Sequence, residues 1–471
     1  MGIRWQGYRL KSQDSYLVRP IYLGRNMKQN TVLVGLQYGD EGKGKFSHFL
    51  AKEHDVFVRY QGGGNAGHTI YHEGNKVVTH YLPVGIVEKH ITCILGNGMV
   101  INPIDLLSEI KEVASIIGEP LEVLISRIAI SNKAHVVTQE CLDLDAEREK
   151  TQNIGTTKTG IGPTYEAKYN RTGLTVGRAV QEDLFPEFTA LMGSRVVNTE
   201  ILVNELDDAN LSILFEGAQG VLLDIDFGQF PYVTSSNCIP GAVRTGAGFT
   251  GNIDRVVGVF KPYVTRVGTG PFVTAMEDNT DRLIRMAGHE FGATTGRNRY
   301  SAFLDLYALK YACKVAGITE LAVAKMDVLD WEYVTDAPLV VDRGCTPGLP
   351  DGNQFTMEEA QMEYIRLDSG SAFSFAESRF QDIPVCTGYS LDGKRLTTLM
   401  DFPFGNEWDR VEPIYSLLPG WSYGENSAES HKAFLQGVEK FTEVPVLTVS
   451  YGPKPEQTYR VQNQTTEEWS S

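Results

Sequence analysis

Two glycine-rich stretches hold the residues best suited to do chemistry. In Gly39-Asp40-Glu41-Gly42-Lys43-Gly44-Lys45 the glycines and the last lysine fill the places of a G-x-x-x-x-G-K phosphate loop. In such a loop, backbone N–H groups at the start of a helix cradle anionic oxygens. Gly39, Glu41, Gly42 and Gly44 form the cradle, and Lys43 and Lys45 add positive charge. Phe46 stands where such loops carry the Ser or Thr that binds magnesium, so the metal ligand must come from elsewhere. Asp40, inside the loop, is a carboxylate able to reach Mg2+ or to take a proton from a substrate. The second stretch is Gln61-Gly62-Gly63-Gly64-Asn65-Ala66-Gly67-His68-Thr69. Three adjacent glycines let backbone approach a ligand closely, at an entropic cost that a purely structural loop has little reason to bear. His68 at its end is a candidate donor to a developing oxyanion or phosphoryl oxygen.

A third signal is Lys325-Met326-Asp327, which follows directly on the apolar run Leu321 to Ala324. GTP-binding proteins place an Asn-Lys-x-Asp sequence at such a strand end, where the aspartate accepts the N1 and N2 protons of guanine. Charge-assisted bonds of about 1.5–3 kcal/mol each would separate guanine from adenine by about ten- to a hundredfold. Ser450-Tyr451-Gly452-Pro453, after the last apolar run, is placed to close over the base. Lys325, Asp327, Ser450 and Gly452 are therefore read as contacts to GTP as phosphoryl donor.

These residues need a scaffold that sets loops side by side. Thr31 to Gln37 is a short β-branched run ending at the first glycine loop, which reads as strand, tight turn, helix. Further strand-like runs lie at Val56 to Tyr60, Ser212 to Phe215, Arg255 to Phe260, Leu321 to Lys325 and Val444 to Ser450, separated by helix-length stretches such as Ser301 to Ala316. Alternation of this kind predicts an α/β fold: one large domain with a central, mostly parallel β-sheet flanked by helices and carrying a P-loop-like phosphate site. Residues 1–29, basic and aromatic, read as an N-terminal extension, 30–455 as the catalytic unit, and 456–471 as a C-terminal tail. Val340 to Asp401, rich in Gly, Pro, Asp and Ser, is the candidate for a small appended subdomain.

Composition narrows the function classes. A net charge of -16 argues against a surface that wraps nucleic acid, which needs a cationic excess. Six scattered cysteines (Cys93, Cys141, Cys238, Cys313, Cys345, Cys386) offer neither C-x-x-C nor zinc spacing, which fits a reduced, cytoplasmic setting. The sequence holds no apolar run of the roughly 20 residues a membrane span needs. Position 6 is Gln, so the opening Met-Gly is not a myristoylation signal.

Taken in order, the pieces resemble the adenylosuccinate synthetase family from Thr31 to about Pro455. The likeness rests on YGDEGKGK (38–45), NAGHT (65–69), IGTT with GIGP (154–163), FEGAQG with LLDID (215–226), PYVTSSN (231–237), RVGTGPF (266–272), GATTGR (292–297) and KMDVLD (325–330). The resemblance implies a GTP-dependent ligase that joins L-aspartate to C6 of IMP through a 6-phosphoryl intermediate. Asp40 matches the family's general base and magnesium ligand, His68 its general acid, and Gly67 a backbone metal contact. Asn65, Thr157, Gln219 and Thr234 match residues that hold the purine nucleoside monophosphate, with Arg171 reaching its phosphate across a homodimer. Thr294, Thr295, Arg297 and Arg299 match the loop that grips aspartate's carboxylates, a task suited to arginine's planar fork.

The sequence also departs from the family pattern. Lys158-Thr159 stands where Gly-Arg is usual, Asn298 replaces the middle arginine of a run, and Tyr300 to Phe303 differ from the usual residues. The stretch between Gly173 and Glu216 is short, as in phage and archaeal relatives, some of which act on dGMP. The alternative reading is therefore the same chemistry on GMP or dGMP. In several of those phage enzymes the aspartate at this position is replaced, so retention of Asp40 favours IMP. From a different class, a GTP-binding regulatory module would use the phosphate loop and Lys325-Met326-Asp327 but would not need Asp40 with His68, or GATTGR.

Overall fold

The computed structural model describes residues 28–152, 156–291, 298–329, 382–421 and 427–461, and the backbone of two strands, Arg4–Arg9 and Tyr16–Ile21, that pair antiparallel. In chain order the other main strands are β1 (Thr31–Gly35), β2 (Val56–Arg59), β3 (Thr92–Leu95), β4 (Ile128–Ser131), β5 (Val196–Val197), β6 (Ile213–Gly220) and β7 (Arg255–Phe260). They continue as β8 (Tyr263–Arg266), β9 (Tyr300–Asp305), β10 (Glu320–Val323), β11 (Asp382–Leu391), β12 (Val411–Pro419), β13 (Val446–Ser450) and β14 (Thr458–Arg460). Ten of these make one sheet in the order β5-β4-β3-β2-β6-β1-β7-β10-β13-β14. Every neighbouring pair in it is parallel except β13 with β14.

The pattern of the central strands explains their place. All five residues of β1 are buried, the mark of a strand covered on both faces. Side chains alternate across a strand, so Val32 and Val34 enter one core with Val58 and Phe215, while Leu33 enters the other with Phe57 and Leu214. The runs read as strands from the sequence lie where expected, within a residue or two at most ends. β6 is the exception, since it runs on to Gly220.

Three expectations are corrected. Ser301 to Ala316 is not one helix: Tyr300–Asp305 is strand β9, antiparallel to β8, and only Leu306–Ala316 is helical. The switch falls at Asp305, whose carboxylate accepts from the Ala308 N–H at 2.9 Å and caps the helix. Val340 to Asp401 is not wholly an appendage. Its residues 340–381 lie outside the described residues, but β11 pairs parallel with β9 and antiparallel with β12, and Ile383 and Val385 belong to the main core. The tail boundary at 455 also moves, because β14 completes the central sheet at its edge. Among the described residues no helix is long and apolar enough to cross a membrane. The five described cysteines are free thiols.

Candidate active site

Parallel strands that end together deliver their following loops to one crevice, the usual ligand site of open α/β sheets. β1 leads through the first glycine loop into helix α1 (Lys43–Leu50). Gly39 (φ 83°), Asp40 (φ 59°) and Gly42 (φ 90°) are all left-handed, a conformation that Gly adopts freely and Asp tolerates. Gly42 is the N-cap and offers no side-chain cap, so the helix start is open to an anion. Glu41, whose backbone belongs to the expected phosphate cradle, turns its side chain inward. It is wholly buried and accepts from the N–H groups of Gln37 (3.1 Å) and Gly39 (2.9 Å) and from Lys43 Nζ (2.6 Å). Its carboxylate thus folds the loop and anchors Lys43.

The second glycine stretch follows β2 and meets this loop directly. A Cβ on Gly44 would lie 3.0 Å from the Cβ of His68, so the first turn of α1 packs against His68 only because residue 44 has no side chain. His68 opens the strand His68–His72, is buried, and its Nδ1 lies 2.7 Å from Glu216 Oε1 on β6. Glu216, also fully buried, accepts in addition from Ser47 Oγ (2.5 Å) and Val84 N (3.0 Å), with Arg59 3.8 Å away. Burial would push the Glu216 carboxyl up, but the His68 and Arg59 charges and the Ser47 bond hold it below its usual range. Burial pulls the His68 imidazole down, with Glu216 opposing. A carboxylate on Nδ1 leaves Nε2 as the working position of the ring.

Asp40 reaches the opposite side of the crevice. It is the most open of these carboxylates, about a third exposed, and its Oδ2 is 2.9 Å from Arg299 Nε. Arg299, expected to bind aspartate, is thus paired with Asp40 and, through Nη1, with Glu290 at 2.8 Å. Glu290 is a buried hub that also accepts from Lys261 Nζ (3.0 Å), Lys325 Nζ (2.7 Å) and Tyr263 Oη (2.6 Å). Burial alone would raise this carboxyl; the charges of Lys261, Lys325 and Arg299 hold it well below the usual range. Burial brings Lys261 down to about 8.

The loop after β10 builds the far end. Lys325 is left-handed (φ 55°) and Asp327 lies in the short turn Met326–Leu329. Asp327 Oδ1 is buried without a hydrogen-bond partner among the described residues, a costly arrangement that a ligand bearing N–H donors would relieve. Burial raises its carboxyl, with the Gly452 backbone opposing. Lys45 bridges the two ends: its Nζ donates to Ser450 Oγ (2.6 Å) and the Gly452 carbonyl (2.8 Å). Burial lowers Lys45 to about 8.

The remaining residues fall into three groups. Asn65 and Gln219 converge on Gly62, where a Cβ would sit 3.9 Å from Asn65 Oδ1 and 3.3 Å from Gln219 Oε1, and both oxygens are buried without a partner among the described residues. Gly67 immediately precedes His68, and Thr234 is tied to the crevice wall by its N–H to the Leu223 carbonyl at 2.8 Å. Thr157 and Arg171 are exposed, Thr157 beside Thr159 (2.6 Å) and Arg171 as the left-handed cap of the helix Ile161–Asn170. Thr294, Thr295 and Arg297 lie outside the described residues. Sequence reasoning missed Glu216, Arg59, Glu290 and Lys261. Glu216 and Arg59 carried a usable signal: each is a charge inside an otherwise apolar strand run, where burial demands a partner.

Known proteins share the sequence and fold of this chain. The family model described as adenylosuccinate synthetase matches residues 32–192, 185–334 and 376–459. The adenylosuccinate synthetase of Chlorobaculum parvum is 37% identical over 91% of this chain and 96% of its own, and that of Chlorobium luteolum 36% over the same shares. Among solved structures, fully ligated adenylosuccinate synthetase from Plasmodium falciparum superposes with a TM-score of 0.75 at 28% identity, covering 92% of this chain and all of that one. Cyanophage S-2L succinoaminodeoxyadenylate synthetase, bound to dGMP and dATP, superposes with a TM-score of 0.60 at 20% identity over 92% and 96% of the two chains, a likeness of fold alone. Identity sustained across nearly the whole length, on a sheet that brings both glycine loops and the Lys325-x-Asp327 turn together, makes this chain a member of the adenylosuccinate synthetase family.

Proposed function

We propose that this chain joins L-aspartate to C6 of IMP at the expense of GTP, giving adenylosuccinate, GDP and phosphate, with Asp40 and His68 as its acid–base pair. The observation that carries the assignment of the pair is the contact of Gly44 with His68, which puts the phosphate loop and the buried imidazole in one crevice. A ring carbonyl oxygen leaves poorly, so the first step makes it a better leaving group. Asp40 takes the N1 proton of IMP while O6 forms a bond to the γ-phosphorus and the bond to the β–γ bridging oxygen breaks, releasing GDP. His68 donates from Nε2 to the oxygens that gain charge, with its Nδ1 proton held by Glu216. Aspartate's amine then adds at C6, the C6–O6 bond breaks, and phosphate leaves with O6.

The Asp40 carboxylate, with the Gly67 carbonyl and the nucleotide's own phosphates, is an all-oxygen donor set of the kind Mg2+ prefers. When bound, the ion would neutralise charge on the transferred phosphoryl group. Arg299 pairs with Asp40, so a carboxylate of aspartate that drew Arg299 to itself would free Asp40 for the proton. Asp327 and Gly452 hold the guanine, and Asn65, Gln219, Thr234 and Thr157 the IMP. Thr294, Thr295 and Arg297 take aspartate's carboxylates together with Arg299. Arg171, exposed at its helix end, serves the nucleotide of a partner subunit in a homodimer. Free cysteines suit a reducing cytoplasm.

The experiment is a substrate panel: purified protein with GTP, Mg2+ and aspartate, offered IMP, GMP or dGMP in turn. Succinylated product from IMP at a kcat/KM well above the others is expected. Product from dGMP alone would overturn the choice of acceptor, and GTP hydrolysis indifferent to aspartate and IMP would overturn the ligase.

A further inference from the structure

Behind the catalytic crevice, three segments converge on a second cluster of ligating side chains. His48 lies in the last turn of α1, His72 ends the strand that His68 begins, and Glu88 follows the turn Val84–Val87. One ligand atom from each lies within 4.8 Å of the others. His48 Nε2 is 3.2 Å and His72 Nδ1 3.8 Å from the same Glu88 oxygen, Oε1. The two imidazole rings are 5.6 Å apart between centroids. Around a tetrahedral zinc with bonds of about 2.0–2.1 Å, ligand atoms sit about 3.4 Å apart, so small side-chain rotations would close the set. The cluster is partly sheltered: the side chains are 11% (His48), 18% (His72) and 29% (Glu88) exposed, open enough to admit an ion. Among the described residues His48 Nδ1 is buried with no hydrogen-bond partner.

We propose that His48, His72 and Glu88 form a site for a divalent transition-metal ion of the zinc class. Two imidazoles and one carboxylate, with a fourth position open to water, match zinc's preference and not that of magnesium or calcium, which favour oxygen alone. The site is separate from the oxygen donors at the phosphate loop. His48 lies about 8 Å along α1 from Lys43, and His72 about 13 Å along its strand from His68. Its ligands nevertheless belong to the elements that hold His68: α1 packs on His68 through Gly44, and Val84, which opens the turn before Glu88, donates its N–H to Glu216. An ion here would clamp α1 to the strand His68–His72, which carries the imidazole proposed as the acid.

The test uses the full chain freed of metal by chelation, with Mg2+ in excess to occupy oxygen sites, titrated with Co2+ and separately with Zn2+. One equivalent of Co2+ should produce the visible bands of four-coordinate cobalt, Zn2+ should displace it, and Zn2+ should raise the melting temperature. His72→Asn and Glu88→Gln should each weaken binding at least about tenfold, while His135→Gln, outside the cluster, leaves it unchanged. Two variants guard against one failing to fold, which circular dichroism would reveal. A cobalt spectrum that stays six-coordinate, or Zn2+ isotherms that are the same in all four proteins, would overturn the proposal.

Discussion

Replacing Glu216 by Gln keeps the shape of the side chain, removes the negative charge at the Nδ1 of His68 and turns one acceptor oxygen into an N–H donor. The bond is 2.7 Å long and both groups are buried, so it is charge-assisted and shielded from water. Such bonds contribute about 1.5–3 kcal/mol, and one pKa unit corresponds to about 1.4 kcal/mol, so the imidazolium of the variant should titrate about one to two units lower. In its proposed role as acid His68 must be protonated, so turnover falls as pH rises through its pKa; lowering that pKa moves the fall to lower pH. At a fixed pH above both values, kcat should drop about ten- to a hundredfold, while the KM for GTP changes little, because Asp327 and Gly452, the residues proposed to hold guanine, are untouched. The amide also presents donors towards Arg59, which is wholly buried, so a lower melting temperature is expected and rates must be referred to folded protein. Glu216→Asp keeps the charge and should recover part of the rate and most of the profile. The assay is kcat against pH for the three proteins with IMP saturating. An unmoved high-pH limb in Glu216→Gln would refute the claim that this carboxylate sets the protonation of His68.

Other substitutions separate the remaining roles. Asp40→Asn should lower kcat by about 10²–10⁴-fold, the range of a lost general base, with GTP binding by calorimetry largely intact; near-normal turnover would remove Asp40 as base. Asp327→Asn should weaken GTP about ten- to a hundredfold while leaving the IMP constant unchanged, and a retained preference for GTP over ATP would contradict the guanine contact. His54 supplies a pH prediction for stability. Burial lowers its imidazole from 6.5 to about 4, and its ring nitrogens meet the Leu50 carbonyl and Thr31 Oγ1 at 2.9 Å each. The folded state therefore binds fewer protons than the unfolded one, so this contribution is complete above about pH 6.5 and is lost as pH falls towards 4, up to about 3 kcal/mol. Urea unfolding of His54→Gln should show a flatter dependence on pH in that window, and an unchanged slope would count against it.

The parts of the site that the sequence exposed are those whose chemistry is local. A left-handed turn needs glycine or a tolerant residue within a few positions, so Gly39, Asp40 and Gly42 announce the loop by themselves. β-Branched runs likewise announce β1, β2 and β7, because their burial on both faces is written in consecutive residues. What was hidden depends on partners distant in the chain. Glu216 is 148 residues from His68, and Glu290 is 29 from Lys261 and 35 from Lys325; no spacing rule links them. The same holds for β9: Ser301 to Asp305 has a helix-compatible composition, and its pairing with Tyr263–Arg266 on one side and β11 on the other makes it a strand.

The two buried carboxylates also divide the labour of the crevice. Glu216 accepts from one imidazole, one hydroxyl and one N–H, so its negative charge is directed chiefly at His68 and Arg59. Glu290 receives three cations, so its charge is more than compensated and the surplus is positive. The surplus faces Asp40 through Arg299 and the loop after β10 through Lys325, where the proposed function puts its anionic substrates. A chain with a net charge of -16 can thus hold a triphosphate, a monophosphate and a dicarboxylate together, because the local field of the crevice opposes that of the surface. If so, Glu290→Gln should destabilise the fold by leaving buried cations unpaired, yet should not weaken the binding of free nucleotide to whatever protein remains folded. Weaker binding at full folding would show that the hub positions the cations and does not merely balance their charge.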